Sequence, residues 1–192
     1  MAGERRGIRP VKAPARALVS VDGLNGRAVL VAARQVLAVK GRPRRHDISR
    51  WDASRLFDQL WVAGGGGGTP SARTLLLLYA ADLAFRLRWE IEPALADGRT
   101  VVAAPYVDTA KAFGRAAGLS AGWLASLFQF APPPDERRYV DAPVPRSSRA
   151  PDGFIEFSCA RLAGVRSGLT RHELATRIRA NLRKAAARAR AR

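Results

Sequence analysis

The residues best placed to do chemistry in this sequence lie in the run Val19-Ser20-Val21-Asp22-Gly23-Leu24-Asn25-Gly26. A short apolar β pattern ends there on an acid, Gly23 and Gly26 follow, and an apolar helical stretch from Ala28 to Val39 comes next. A strand, a glycine-bearing turn and a helix in that order aim the helix's unpaired N-terminal amides at whatever sits above the strand end, the arrangement that holds phosphate. Gly23 and Gly26, with Arg27 beside them, are therefore candidates for an anion-binding turn. A second concentration of cations lies near the C-terminus, where Arg177, Arg183, Lys184 and Arg188 occupy the polar faces of a helical stretch. A nucleic-acid footprint and a solvated basic helix end, whose charges suit the helix dipole, are both open readings.

Other reactive groups are sparse. Cys159 has no second cysteine to pair with and no evident histidine partner, and a single cysteine with His46 and His172 is too little for a zinc site of the usual spacing. His46 falls at a strand end and His172 in the first turn of a helix, where both read as surface residues. No catalytic residue and no metal ligand is assigned.

These groups need elements to position them. After the first strand and helix, His46 to Ser49 reads as a short strand and Ala53 to Val62 as a helix ending in the glycine run Gly64 to Gly68, a linker rather than a phosphate cradle because it joins two helices. Ser71 to Asp97 is the longest helical pattern, apolar nearly all round in its first half and so expected to be buried. Thr100 to Ala104 reads as a strand, Val107 to Ala117 and Ser120 to Phe130 as helices, and Arg138 to Ala142 as an edge strand. Pro143 to Asp152 reads as an exposed loop. Thr170-Arg171-His172-Glu173 then forms a capping box, followed by Leu174, Ile178 and Leu182 along one helix face. Strands alternating with helices imply an α/β fold of three layers, a parallel sheet flanked by helices, with ligands above the strands' carboxyl ends and a basic helical C-terminus. Residues 16–192 are expected to form this one domain, behind a basic arm over residues 1–15 that carries Pro10 and Pro14.

Composition narrows the partners. Lys and Arg number 33 against 16 Asp and Glu, a formal charge of +17 that favours nucleotides, nucleic acid or an acidic protein surface. Almost all of that excess is arginine, so a coding preference explains part of it. The longest apolar run, Leu75 to Ala81, stops at Asp82, far short of the ~20 residues that cross a bilayer. With one cysteine and no apolar signal core at the N-terminus, a cytoplasmic location is expected and a membrane partner is not.

Several segments together resemble the thymidylate kinases. Asp22-Gly23-Leu24-Asn25-Gly26 is similar to that family's phosphate loop, which typically reads acid-Gly-Leu-Asp-Gly-Ser-Gly-Lys-Ser-Thr. Leu75 to Asp82, followed by Ile91-Glu92-Pro93 and on to Arg99, resembles its central helix and the turn into its third strand. Val101-Val102-Ala103-Ala104-Pro105-Tyr106-Val107-Asp108-Thr109 resembles the strand that carries its Asp-Arg-Tyr motif. Ser49-Arg50-Trp51 sits where the family places an arginine and, in some members, a base-stacking aromatic. The resemblance covers residues 17–143 and implies a P-loop fold, a dimer through helices, and a nucleotide pocket. In that pocket Arg50 would fork onto phosphate, Trp51 would stack on a base, and Tyr106 and Asp108 would shape the walls.

The departures bear on activity. The family's second glycine, lysine and magnesium-holding hydroxyl are replaced by Ala28, Val29 and Leu30; its Asp-Arg pair by Ala104-Pro105; and the arginine after Asp82 by Leu83. Phosphoryl transfer rests on positioning and charge stabilisation, so losing these groups together removes most of the ~8 kcal/mol or more that separates an enzyme from water. Three readings follow. The first is a catalytically impaired or inactive thymidylate-kinase-like protein with a residual dTMP-like site and a regulatory or structural role. The second is an active nucleoside monophosphate kinase using ATP and magnesium through unusual groups, with Arg27, Arg50, Arg146 and Arg149 supplying cations. The third is a nucleic-acid-binding module built on the C-terminal helix.

Overall fold

A computed structural model describes residues 16–40, 47–63, 69–145, 151–162 and 168–191. The expected arm over residues 1–15, His46, the run Gly64 to Gly68, Arg146 and Arg149 lie outside the described residues. Four parallel strands form one sheet in the order β2-β3-β1-β4, with β1 Ala17–Gly23, β2 Ile48–Arg50, β3 Thr100–Ala104 and β4 Glu136–Val140. The two central strands, β1 and β3, are nearly continuous apolar runs, as a parallel strand covered on both faces must be.

Alternation along these strands sorts their side chains between two cores. Val19, Val21, Val102 and Ala104 meet Val29, Ala33 and Leu37 of α1 (Gly26–Lys40) on one face. Leu18, Val101 and Ala103 belong to a larger core on the other face. That core is built with α3 (Ala72–Arg86), α5 (Val107–Ala116), α7 (Phe154–Leu162) and α8 (Arg171–Arg190). Shorter helices α2 (Leu56–Val62), α4 (Glu92–Ala96) and α6 (Ala121–Leu127) complete the layers, and a π-turn over Leu87–Ile91 joins α3 to α4. Phe154 of α7 is the hub of the larger core, its ring centroid 4.6 Å from Tyr79, 5.1 Å from Phe113 and 5.8 Å from Phe57. Tilted and edge-on pairs of this kind add roughly 0.5–1.5 kcal/mol each beyond the area they bury.

Several expectations are borne out and others shift. The Thr170 capping box forms with both reciprocal bonds, and Leu174, Ile178 and Leu182 are buried on one face of α8. β2 occupies Ile48–Arg50 and β4 begins two residues before the expected Arg138. α2 begins at Leu56 rather than Ala53, because Asp52 and Arg55 adopt φ of 61° and 64° and the Asp52 carboxylate accepts the N–H groups of Phe57 and Asp58. The expectation that the first half of the 71–97 pattern is buried all round is corrected. Leu75, Leu76, Tyr79 and Leu83 face the core, but Leu77 and Phe85 stay 54% and 40% exposed because no described element covers that side. No helix among the described residues is long and apolar enough to cross a membrane.

Candidate functional site

The turn between β1 and α1 is where the sequence places an anion, and the chain's own groups fill it. Asn25 caps α1, its Oδ1 accepting the Ala28 N–H at 2.9 Å, while its Nδ2 donates to the Pro143 carbonyl at 3.0 Å. The Gly26 N–H, a free donor of the α1 N-terminus, donates to Glu156 Oε1 of α7 at 2.8 Å, and Glu156 Oε2 accepts the Asp152 N–H at 2.8 Å. Glu156 is buried, so a carboxylate from α7 occupies the N-terminal seat of α1, where the helix dipole favours negative charge. The backbone of Asp152 and Gly153 also lies against Gly26. A Cβ at that position would come within 2.2 Å of the Asp152 carbonyl oxygen, so only glycine fits. Gly23 is likewise crowded, between Val29 and Val140.

Ala28, Val29 and Leu30, the residues that follow Gly26 and Arg27, run along the first turn of α1. Val29 is buried in the α1 core and Leu30 lines a cleft at the β2 edge. Neither offers a donor or a metal ligand, and no cluster of three or more His, Cys, Asp or Glu suited to a metal occurs among the described residues. Arg27 is exposed at the start of α1.

Asp22, at the end of β1, ties the strand to α5. Its Oδ1 accepts the N–H groups of Tyr106 and Thr109 at 3.0 and 2.9 Å and the Thr109 hydroxyl at 2.7 Å, and that hydroxyl oxygen accepts the Gly23 N–H. Oδ2 is buried without a partner. Burial first, and the Asp108 charge second, push the Asp22 pKa up from 3.8 to about 6 against these hydrogen bonds. Between those values the folded protein holds a proton that the unfolded chain has released. The stabilisation is therefore full below about pH 4, and up to about 3 kcal/mol is lost as pH rises through about 6. Asp22→Asn is expected to flatten this decline in unfolding free energy between pH 4 and 7; an unchanged slope would assign it to another group.

The sequence-expected pocket residues divide. Arg50 is exposed at the end of β2 and, with Trp51, lines the β2-edge cleft of about 970 Å³, whose wall also carries Arg34, Arg55, Arg99 and Trp89. Trp51 is half-buried, with its ring 5.1 Å from Phe57 and 6.1 Å from Phe157. Tyr106 and Asp108 do not join them. Tyr106 is buried and its hydroxyl donates to the Pro132 carbonyl at 2.9 Å. Asp108 faces β4, where Oδ2 accepts the Tyr139 hydroxyl at 2.6 Å and Arg137 at 3.1 Å. Of the C-terminal cations, Arg177 and Lys184 are exposed, Arg183 is bound to Asp141, and Arg188 lines a recess beside α5.

Sequence reasoning missed two residues that organise this end of the fold. Arg86, fully buried, donates through Nε to Ser49 Oγ at 2.9 Å and through Nη2 to the carbonyls of Ser49 and Pro105, both at 2.9 Å. Its partner Asp82 lies 3.9 Å away and accepts the N–H groups of Asp52 and Ser54. Together they hold the turn that presents Arg50 and Trp51. An aspartate and an arginine four apart in the otherwise apolar stretch Leu75 to Leu87 were the available signal. Glu156 is the second, marked only by a carboxylate inside the apolar run Phe154 to Cys159.

No protein-family model matches the chain. Over 73 residues it is 41% identical to a probable thymidylate kinase of Pyrococcus abyssi, which covers 38% of this chain and 36% of that protein. Over 104 residues it is 35% identical to one of Thermococcus gammatolerans, covering 52% and 50%. A longer alignment, 146 residues at 28% identity, covers 70% of the chain and 71% of a probable thymidylate kinase of Thermococcus onnurineus. The first of these matches thus span about a third to a half of the relatives' length. Among solved structures, thymidylate kinase from Ehrlichia chaffeensis superposes with a TM-score of 0.61 at 14% identity, over 91% of this chain and 89% of that one. The chain carries a thymidylate-kinase-like P-loop fold.

Proposed function

We propose that this protein keeps the thymidylate-kinase-like scaffold without ATP-dependent phosphoryl transfer, and that its basic β2-edge cleft takes a dTMP-like nucleotide in a regulatory or structural role. The observation that carries this reading is the Glu156 carboxylate bonded to the Gly26 N–H, where a nucleotide phosphate would need that donor. Ala28, Val29 and Leu30 add no charge or hydroxyl beside it, so the residues present do not fit magnesium-bound ATP. The cleft is the better nucleotide candidate. Arg34 and Arg50 line it without an ion pair to any described residue, and Trp51 and Trp89 supply flat apolar faces.

Calorimetric titration with ATP, dTMP and dTTP, with and without magnesium, tests the proposal. The expected result is dTMP binding indifferent to magnesium, weakened at least tenfold by Arg50→Ala, with no binding of ATP. Magnesium-dependent ATP binding, or dTDP formed from ATP and dTMP, would establish an active kinase instead. Absence of all three signals would remove the cleft from the proposal and confine the role to the scaffold's surface.

A further inference from the structure

At the opposite edge of the sheet from the cleft, cations from three elements converge on a recess of about 240 Å³. Lys111 and Arg115 extend from successive turns of α5, Arg137 from β4 and Arg188 from α8. A single acidic side chain, Asp108, is among the lining residues, and its Oδ2 is already taken by Arg137 and by the Tyr139 hydroxyl. Lys111, Arg115 and Arg188 form no ion pair with any described residue. The recess is held open by a fixed frame, because Asn181 of α8 donates to the Ala112 carbonyl of α5 at 3.2 Å. Burial lowers the pKa of Lys111; the Asp108 charge opposes that shift and the Arg137 and Arg115 charges add to it. Like charges held together at a partly desolvated lysine mark a site short of negative charge.

We propose that this recess binds a small multivalent oxyanion of the phosphate class, such as pyrophosphate or the phosphate groups of a small metabolite. The guanidinium groups of Arg115, Arg137 and Arg188 provide paired N–H donors matched to such oxygens, and Lys111 provides a point charge at the side. A nucleic-acid backbone laid along α8 fits the surface less well. Asp141 sits on that flank and pairs with Arg179 at 2.8 Å and with Arg183, placing a carboxylate where a chain of phosphates would run.

The test titrates the full chain with inorganic pyrophosphate at moderate salt, comparing the unmodified protein with Lys111→Met, Arg188→Ala and Arg177→Ala. Lys111→Met keeps the apolar stem, and Arg177 and Arg188 are exposed, so the three variants should fold alike. The expected result is binding weakened at least tenfold by Lys111→Met and by Arg188→Ala and unchanged by Arg177→Ala, with Lys111 titrating at higher pH by NMR when pyrophosphate is bound. Equal weakening by Arg177→Ala would reduce the effect to diffuse net charge and overturn the proposal. So would the absence of binding, or tighter binding of a duplex oligonucleotide that all three substitutions weaken alike. Arg50→Ala leaves this titration untouched, which separates it from the dTMP test of the cleft.

Discussion

Replacing Glu156 by alanine is expected to lower the unfolding free energy by about 2–4 kcal/mol, because it removes the acceptor of two part-buried backbone donors, the N–H groups of Gly26 and Asp152. A fully buried donor left unmade costs about 1–3 kcal/mol and a part-buried one less, and the volume vacated by the buried Glu156 side chain adds to that. Set against a typical total of about 5–15 kcal/mol, the loss is large enough to shift a urea midpoint visibly. Glu156→Gln keeps one accepting oxygen but turns an amide N–H₂ towards a backbone donor, so its cost should fall between the alanine variant and the unmodified protein. A midpoint for Glu156→Ala within experimental error of the unmodified protein would mean that the α1 seat is satisfied by something other than this carboxylate.

Arg86→Leu is the second substitution with a large expected effect. It leaves Asp82 as a buried charge without its counterion and strands the carbonyls of Ser49 and Pro105, which Arg86 Nη2 serves together. Removing one partner of a buried pair costs about 3–5 kcal/mol, and a leucine of smaller reach replaces none of the three bonds. The same experiment has a local readout. Because Asp82 and Arg86 hold the turn at 49–54, Trp51 fluorescence should shift and quench differently in any folded fraction. Asp82→Asn removes the buried charge and keeps one accepting oxygen, enough for one of the two N–H groups, Asp52 on Oδ2 or Ser54 on Oδ1, and should therefore be milder than Arg86→Leu.

What the sequence conveyed and what it withheld follow from the range of each interaction. The β1-turn-α1 unit was legible because its signals sit within a few residues: an apolar run, Asp22, Gly23 and Gly26. The α8 boundary was legible for the same reason, since Thr170 and Glu173 bond each other across three residues. The start of α2 was misplaced because the left-handed turn at Asp52 and Arg55 uses residues that do not advertise a positive φ as glycine does. The partners of Asp108 are not legible locally, because Arg137 and Tyr139 arrive from a strand about thirty residues later. Glu156 and Arg86 were overlooked for this reason too. Their partners are fixed by the fold, and a charge set in an apolar run marks burial without naming the groups it will meet.

The place of α7 has a consequence for how the chain acquires its structure. The seat at Gly26 is completed by a residue 130 positions away, and the ring that joins Phe57, Tyr79 and Phe113 is Phe154 from the same helix. Everything before residue 151 can therefore leave the ribosome with its sheet strands in hand while its core still lacks the central aromatic. Non-local closures of this kind slow folding and hold apolar surface open until about the last fifth of the chain arrives. For this protein, the segment that fills the turn between β1 and α1 is the same one that completes the core, so the turn cannot be opened without loosening the whole fold.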